Sequence, residues 1–452
     1  MDLNLIKYQI TPRVVEVGKK VQITVKALEK AVRFFDDVEY QITVIRTDGW
    51  KYVKGKELNA GGRDLSVQYR VRPVDGTIKF DHVYDIEGEW EIRITALNVD
   101  AHVPERFVVH WPAGKNRMLA PMTFRIYALE KDLYGKKAFK GELHAHTFES
   151  DGFESPEFTV ARYRKEGFDF MAITDHYYMD PSFFAVDYYK DFTGGIKLFP
   201  GEEVHPIKGG GIFHVVNFNG KWSVNELYDS NPEKANAEID EIAKTFDLGD
   251  PVDNREIAFF KWIFDKIRES GGVAIYPHAY WQIGCAYHVR KKISHEILTR
   301  KLCDAYEVFG GMGRMDNRLM TQLYAELAAE GVDLPIIGAS DSHSTLRSDL
   351  HFNDFFTLVF SEDKESVPEC ILNGQTVVVD NLHRDDKVVY GKLRLSRYAY
   401  FLLDQYFSVH DELCRSAGVC LTRYALGITE EKSLVELLES KVDQFEKTFF
   451  GF

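Results

Sequence analysis

No apolar run in this sequence approaches the roughly 20 residues that a membrane-spanning helix needs. Its start, MDLNLIKYQI, lacks a basic stretch followed by an apolar one, so no secretory signal is expected. Cysteine is scarce: five residues, Cys285, Cys303, Cys370, Cys414 and Cys420, with no Cys-x-x-Cys pair. An odd, scattered set does not make a disulfide framework. Basic charge is short as well. Lys and Arg number 56 against 70 Asp and Glu, a formal net charge of −14. A non-specific grip on nucleic-acid phosphates needs the opposite balance. A Walker-type phosphate loop is also missing: Gly209-Gly210-Gly211 lacks the Gly-Lys-Ser/Thr ending and precedes a strand-like run. Together these absences lead us to expect a soluble cytoplasmic protein with no membrane attachment and no nucleic-acid polymer as partner.

What is there is ordinary globular composition, 45% hydrophobic and 28% charged, over 452 residues. That length suits two or three domains and buries a large core. Residues 1–130 alternate apolar and polar: VQITV at Val21–Val25, YQITVI at Tyr40–Ile45, LSVQYRV at Leu65–Val71, WEIRI at Trp90–Ile94, FVVHW at Phe107–Trp111 and MTFRIY at Met122–Tyr127. Turns separate them at Asp48-Gly49, Gly61-Gly62, Asp75-Gly76 and Glu87-Gly88. Short alternating strands at this spacing predict an antiparallel β-sandwich. Its histidines, His82, His102 and His110, are unclustered and read as structural or surface residues. Asn98–His102 and Pro112–Asn116 read as loops.

After a short linker the pattern changes to apolar strands alternating with helices, the mark of an α/β unit. The stretch Gly141–His176, GELHAHTFESDGFESPEFTVARYRKEGFDFMAITDH, reads as strand, loop, helix, strand. His144 and His146 are two apart, so in an extended segment both rings point to one side. Asp151 follows in a Ser-Asp-Gly turn. Ser155-Pro156 reads as a helix start and Gly167 as its stop. FDFMAIT then ends in Asp175-His176. An apolar strand of this kind is buried on both faces, and ligands in such folds gather at the carboxyl ends of strands. A lone histidine at a strand end is more often a hydrogen-bonded structural residue than a ligand. Three histidines and a carboxylate brought to one edge predict a metal site.

These motifs resemble the PHP (polymerase and histidinol phosphatase) family of metal-dependent hydrolases. The β-rich front part gives the chain the layout of the branch with carbaryl-hydrolase-type enzymes. The resemblance spans roughly Lys140 to Asn381, and its motifs recur in order. Gly201-Glu202-Glu203 matches the family's Gly-x-Glu, which makes Glu203 the ligand and Glu202 not. His214, inside the expected strand Ile212–Phe218, matches the histidine after it, and Pro277-His278 supplies the next. Ser340-Asp341-Ser342-His343 matches the closing Asp-x-His, whose two side chains share one side of an extended segment. The implied ligand set is His144, His146, Asp151, His176, Glu203, His214, His278, Asp341 and His343, with no family position replaced. His205 is expected beside the ligands at most. Asp175 is expected to orient a neighbour; Glu307, near the end of its strand, either faces the site or, as the favoured reading, is structural.

The resemblance implies a distorted (β/α)7 barrel. The expected architecture is a β-sandwich over residues 1–130, the PHP barrel over 139–383 and a helical C-terminal extension over 384–452, with residues 221–256 as a polar, irregular, partly helical insertion over one end of the barrel. Nine nitrogen and oxygen ligands suit two or three divalent ions. Without a thiolate they are compatible with Zn, Mn or Fe. The expected chemistry is hydrolysis by a metal-activated hydroxide, with His214 or His278 protonating the leaving group. The substrate is a small molecule. A phosphoester of a metabolite or nucleotide is the first expectation, with Arg290, Tyr280 and Arg347 as substrate contacts and Lys291 and Arg314 as further cations. An ester, amide or carbamate is the alternative, suggested by aromatics just past the motifs: Phe148, Tyr177, Tyr178, Phe183, Phe184, Tyr280 and Trp281. A noncatalytic scaffold is the third reading. The C-terminal helices are expected to pack on the barrel or to form a homo-oligomer contact.

Overall fold

Alternating burial along Gly88–Ala96 shows how the first part of the chain folds: every second side chain is buried and the intervening ones are half-exposed. This computed structural model describes residues 7–47, 66–97, 108–109, 118–119, 122–192, 195–209, 213–428 and 431–452. They form two compact units. One comprises Met1–Gly135 with Tyr400–His410 and Asp443–Phe452. The other comprises Lys136–Ala399 with Asp411–Val442.

The first unit holds a three-stranded sheet, in the order Tyr8–Thr11, Lys20–Ala27, Thr77–Val83. A five-stranded sheet runs Val14–Glu16, Met122–Leu129, Gly88–Ala96, Tyr40–Arg46, Ser66–Val71. Both feed one core, with Ile10, Ile23, Val25 and Ile78 from one sheet and Ile42, Val44, Ile92, Phe124 and Ile126 from the other. The pairings are antiparallel except one: Val14–Glu16 runs parallel to Tyr127–Leu129, where an all-antiparallel arrangement was expected. The reason is local. Pro12 has no N–H to offer a ladder, so the first strand stops there and the chain continues into the second sheet without a hairpin reversal. The Arg13 guanidinium donates to Gln405 Oε1 at 2.7 Å, and its backbone N–H donates to the Phe449 carbonyl at 2.9 Å. The turns at Asp48-Gly49 and Gly61-Gly62, the loops Asn98–His102 and Pro112–Asn116, and His102 and His110 lie outside the described residues, as do parts of the expected strands Leu65–Val71 and Phe107–Trp111 and most of Gly209–Gly211.

The second unit is mixed α/β. A six-stranded sheet runs Lys197–Phe199, Phe170–Ala172, Lys137–Glu142, Phe355–Ser361, Thr376–Asp380, Val388–Gly391. Its first three strands are parallel and the rest antiparallel. A five-stranded sheet runs Gly201–Val204, Val215–Phe218, Val273–Tyr276, Ala305–Phe309, Ile336–Gly338. Its first two pairings are antiparallel and its last two parallel. Single parallel bridges, Ala145 with Ser342 and His176 with Glu203, join the strand extensions of one sheet to the other. The strands that carry the site motifs are buried on both faces almost throughout.

Helix Pro156–Lys165 begins after Ser155 and gives way at Gly167, whose φ of +84° only glycine adopts freely. Helix Pro251–Glu269 starts where the Asp250 carboxylate accepts from the Val252 N–H at 2.8 Å. It buries Ile257, Phe260, Ile263, Phe264 and Ile267. The polar insertion over residues 221–256, expected to be partly helical, is so. It holds helices Val224–Ser230 and Pro232–Ala243, capped by Ser223 and Asn231. The C-terminal part forms helices Leu393–Gln405, Phe407–Ala425 and Lys432–Phe450, whose residues divide between the two units.

Candidate metal centre

The nine predicted residues sit where strands of the second unit end. His144 and His146 follow Lys137–Glu142, and the Ala145–Ser342 bridge lays them beside Asp341 and His343. His176 follows Phe170–Ala172 and bridges to Glu203. His278 follows Val273–Tyr276. His214 was expected inside a strand but precedes one that begins at Val215. That strand runs antiparallel to both neighbours, so its start lies at the same edge as their ends. Glu202 and Glu203 show the period-two rule at its sharpest. Both are buried, on opposite faces. Glu202 accepts from Asn217, Ser223, the Val224 N–H and Asn225, at 2.6–3.1 Å. Glu203 faces five histidines.

Glu203 Oε2 lies 3.1 Å from His144 Nε2, 3.3 Å from His146 Nε2 and 3.2 Å from His176 Nδ1. Its Oε1 lies 2.7 Å from His214 Nδ1 and 3.1 Å from His278 Nε2. Asp341 Oδ1 stands 3.3 Å from His144 Nε2 and 3.0 Å from His146 Nε2. Asp151, half-exposed on its loop, reaches His343 Nε2 at 3.2 Å and lies 3.6 Å from both His146 and His176.

Four buried ring nitrogens here, His144 Nε2, both of His146 and His176 Nδ1, make no hydrogen bond despite these short approaches. Lone pairs at such spacing suit a shared cation, since ligands about 2.1 Å from one ion stand roughly 3–3.4 Å from each other. Three donor groups emerge: His144, His146, Glu203 and Asp341; His146, Asp151 and His343; Glu203, His214 and His278. The residues therefore fit divalent ions. His205 joins His176 and His214 in a further histidine group. His288 packs on His214 and Trp281 at ring separations of 4.8 and 4.7 Å.

The electrostatics follow from that crowding. Burial alone would lower His144 and His146, but the carboxylates of Asp341 and Glu203 override it, lifting His144 well above its ordinary range and His146 to about 10. Burial likewise opposes ionisation of Glu203 and Asp341. The surrounding histidines override it and hold both far below the usual carboxylate range. His176 goes the other way, down to about 3, because burial and the neighbouring His146 and His214 outweigh Glu203. Two of the nine also carry backbone rarely seen outside glycine: φ is +31° at His278 and +47° at Asp341.

Around this set lies a ring of carboxylates, of which Asp175, Glu142 and Glu307 are buried and Glu154 partly so. Asp175 accepts from the Thr147 N–H, the Thr147 hydroxyl and the Ser150 hydroxyl at 2.6–2.7 Å, so it anchors the loop that carries Asp151. Glu154 accepts from the Ser344 hydroxyl and the Thr345 N–H at 2.6 and 2.8 Å, next to His343. Glu142 ties the His144 N–H to the Ser340 N–H and hydroxyl at 2.5–3.1 Å. Glu307, expected to be structural, accepts from His144 Nδ1 at 3.0 Å. Sequence reasoning passed over Glu142 and Glu154. For Glu142 the available signal was a carboxylate at the end of a run otherwise buried on both faces, which needs partners.

A cavity of about 260 Å³ opens on the centre, lined by Asp151, His176, Glu203, His214, His278, Asp341 and His343, with Trp281, Met312, Asp349, Leu350 and His351 around them. Among the described residues, its lining includes no lysine or arginine. Arg290 is turned to Asp253 and Glu256, and Arg347 to Asp349 at 2.9 Å. Tyr280 packs edge-on against Tyr287 at 5.4 Å, and Arg314 meets His383 at 3.0 Å. Of the expected rim aromatics, Trp281 lines the cavity, Tyr177 packs on His205, and Phe148, Tyr178, Phe183 and Phe184 are exposed.

No protein-family model and no curated protein matches the chain. Solved structures give distant likenesses. A two-domain protein from Bacteroides vulgatus containing a predicted PHP-like metal-dependent phosphoesterase is 18% identical over 54% of this chain and 66% of its own, just under two thirds, with a TM-score of 0.39. A candidate metal-dependent phosphoesterase from Bifidobacterium adolescentis is 18% identical over 53% of this chain and 98% of its own, with a TM-score of 0.36. An amidohydrolase from Chromobacterium violaceum, solved with sulfate and no metal, is 14% identical over 54% and 99%, with a TM-score of 0.32. Likenesses this distant assign no activity to the chain. Among the described residues, no helix is long and apolar enough to cross a membrane.

Proposed function

We propose that this chain is a multinuclear metal-dependent hydrolase of PHP type, most readily a phosphoesterase acting on a small phosphorylated molecule. One observation carries the reading: the two oxygens of Glu203 face different histidine groups, Oε2 toward His144, His146 and His176, and Oε1 toward His214 and His278. A carboxylate so divided would serve both donor groups, one oxygen to each, were both to hold divalent ions. The two bridges that join the sheets support reading them as one distorted seven-stranded barrel, with residues 139–383 carrying the whole ligand set.

Divalent ions bound there would supply Lewis-acid activation of a water nucleophile and of the group under attack. The chain's own residues do the rest. Asp341, Glu203 and Asp151 hold the charge that keeps the ions in place, and the carboxylates behind them fix the ring orientations. His214 gives Nδ1 to Glu203, which leaves Nε2 as the atom to carry a proton to a leaving group. His278 gives Nε2 to Glu203, so Nδ1 is its corresponding atom.

Charge favours a phosphate. Two or three divalent ions outweigh the three carboxylates, and a dianion compensates the excess. With no lysine or arginine in the described lining, that dianion is held by the centre itself. The same lining supports the second reading, a carbaryl-hydrolase-type ester, amide or carbamate hydrolase, because Trp281, Met312 and Leu350 offer an apolar wall to an uncharged substrate.

The test is reconstitution with Zn, Mn or Fe, followed by assay on p-nitrophenyl phosphate and p-nitrophenyl acetate. Phosphate release is the expected result. Turnover of the acetate alone moves the assignment to the second reading. Failure to bind any of the three metals removes both and leaves a noncatalytic scaffold, for which His146→Ala has no effect on the biological role.

A further inference from the structure

Glu307 is fully buried in strand Ala305–Phe309 and touches two of the proposed ligands with different atoms. Its Oε2 accepts from His144 Nδ1 at 3.0 Å, and its Oε1 accepts from the His278 backbone N–H at 3.2 Å. His144 belongs to the donor group with Asp341, and His278 to the group with His214. One carboxylate thus reaches ligands of both groups from behind, while Glu203 joins them from the front. A proton kept on His144 Nδ1 fixes the tautomer whose Nε2 lone pair faces Glu203 and Asp341. The second bond steadies His278 where its φ is +31°.

The surrounding sequence is shaped for this contact. Pairing with strand Ile336–Gly338 is irregular between Glu307 and Phe309, a feature that re-aims side chains near functional sites. Gly310 follows, and a methyl group built there would stand 2.2 Å from Glu307 Oε1, so only glycine leaves room for the carboxylate. Next, a methyl group at Gly311 would meet the Ser340 carbonyl at 2.5 Å, directly before Asp341. Buried Asn317 locks the turn: its Oδ1 accepts from the Gly310 N–H at 3.0 Å, and its amide donates to the Gly310 and Met312 carbonyls at 3.0 and 3.2 Å.

We infer that Glu307 is a positioning residue that couples two ion positions, holding the His144 ring and the His278 backbone through its two oxygens, with Gly310 as the space it requires. This rests on the metal-centre reading above. Glu307→Gln is nearly isosteric but retains one acceptor oxygen, so it serves His144 or His278 and presents an N–H to the other. Gly310→Ala keeps the carboxylate and displaces it.

The experiment is Zn²⁺ and Mn²⁺ titration of wild type, E307Q and G310A, with the melting of each metal-free protein as a check on folding. It is paired with ¹⁵N-histidine NMR of the Zn-loaded wild type, the His144 signals being assigned by their loss in His144→Ala. Expected are metal affinities about 10- to 100-fold weaker in both variants. The wild-type His144 ring should be protonated at Nδ1 and ligated through Nε2. If wild type binds no metal, the reading of the centre falls and the inference falls with it. If wild type binds metal but E307Q binds equally tightly, or His144 is ligated through Nδ1, the inference alone is overturned. The ring assignment decides the matter should E307Q not fold.

Discussion

His82 and His144 are both buried, one in the β unit and one in the α/β unit, and their surroundings send them in opposite directions. His82 Nδ1 meets the Tyr69 hydroxyl at 2.9 Å, and its ring packs on Tyr84 and Trp90. Burial lowers its pKa, with only a weak opposing pull from Asp85. His144 is surrounded by carboxylates, and its pKa rises although burial opposes it. The β unit turns polar groups to water every second residue and buries few. The α/β unit buries both faces of its strands, so any charged residue there needs a partner on the spot. A histidine with an aromatic partner is a structural part; a histidine among buried carboxylates belongs to a donor set that suits a cation.

The largest effect that sharpens this contrast is expected from Glu203→Gln. It should remove at least one ion per chain by elemental analysis and lower hydrolysis by on the order of 10³-fold, while circular dichroism stays unchanged. Its neighbour should behave oppositely. Glu202→Ala leaves four buried donor groups without their acceptor and should cost about 3 kcal/mol or more in urea unfolding. Equal losses of metal in the two variants would erase the distinction between the faces of that strand.

Next in size is a pH effect of opposite sign at two buried histidines, His146 and His82. In chelator-treated protein, His146 has its pKa raised to about 10, so its contribution to stability is full below its unfolded value near 6.5. That contribution is lost as pH rises through about 10, and metal loading should abolish the decline, because the ion then replaces the proton. His82 is lowered, so its contribution is present above about 6.5 and is lost as pH falls through its depressed value. Melting curves across pH for wild type and His82→Phe check the second limb: the variant should lose less stability on acidification. Smallest is Arg290→Ala. Its guanidinium is engaged by Asp253 and Glu256, so KM should stay unchanged and stability should fall by no more than about 1 kcal/mol. A tenfold rise in KM would return Arg290 to the substrate.

The strand ends were legible because the chemistry and the geometry share one sequence signal: an apolar run followed by His or Asp at a spacing of two. His144, His146, Asp341 and His343 carry it, and the structure brings them within 4.8 Å as groups. Glu203 was separable from Glu202 only through the Gly-x-Glu resemblance, since alternation says that the two part company but not which faces the histidines. His214 was placed inside a strand because apolar residues flank it, and the antiparallel turn of that strand is a tertiary fact. Glu307 was undervalued for the same reason. Its partners are 163 and 29 residues away in sequence, and no local pattern announces them. Residues 221–256 were legible as partly helical but not as particular helices, for which Ser223 and Asn231 were the capping residues to look for. Of the cations expected at the substrate, Arg290 and Arg347 meet acidic neighbours and Arg314 meets a histidine, contacts that sequence separation concealed or made look incidental.

Anomalous diffraction from crystals grown with Mn²⁺ or Zn²⁺ tests the divided carboxylate directly. The account predicts ions on both sides of Glu203, one sharing Oε2 with His144 and His146, the other sharing Oε1 with His214 and His278. A single ion chelated by both oxygens, or none at the site when the soaked protein remains folded, would contradict it.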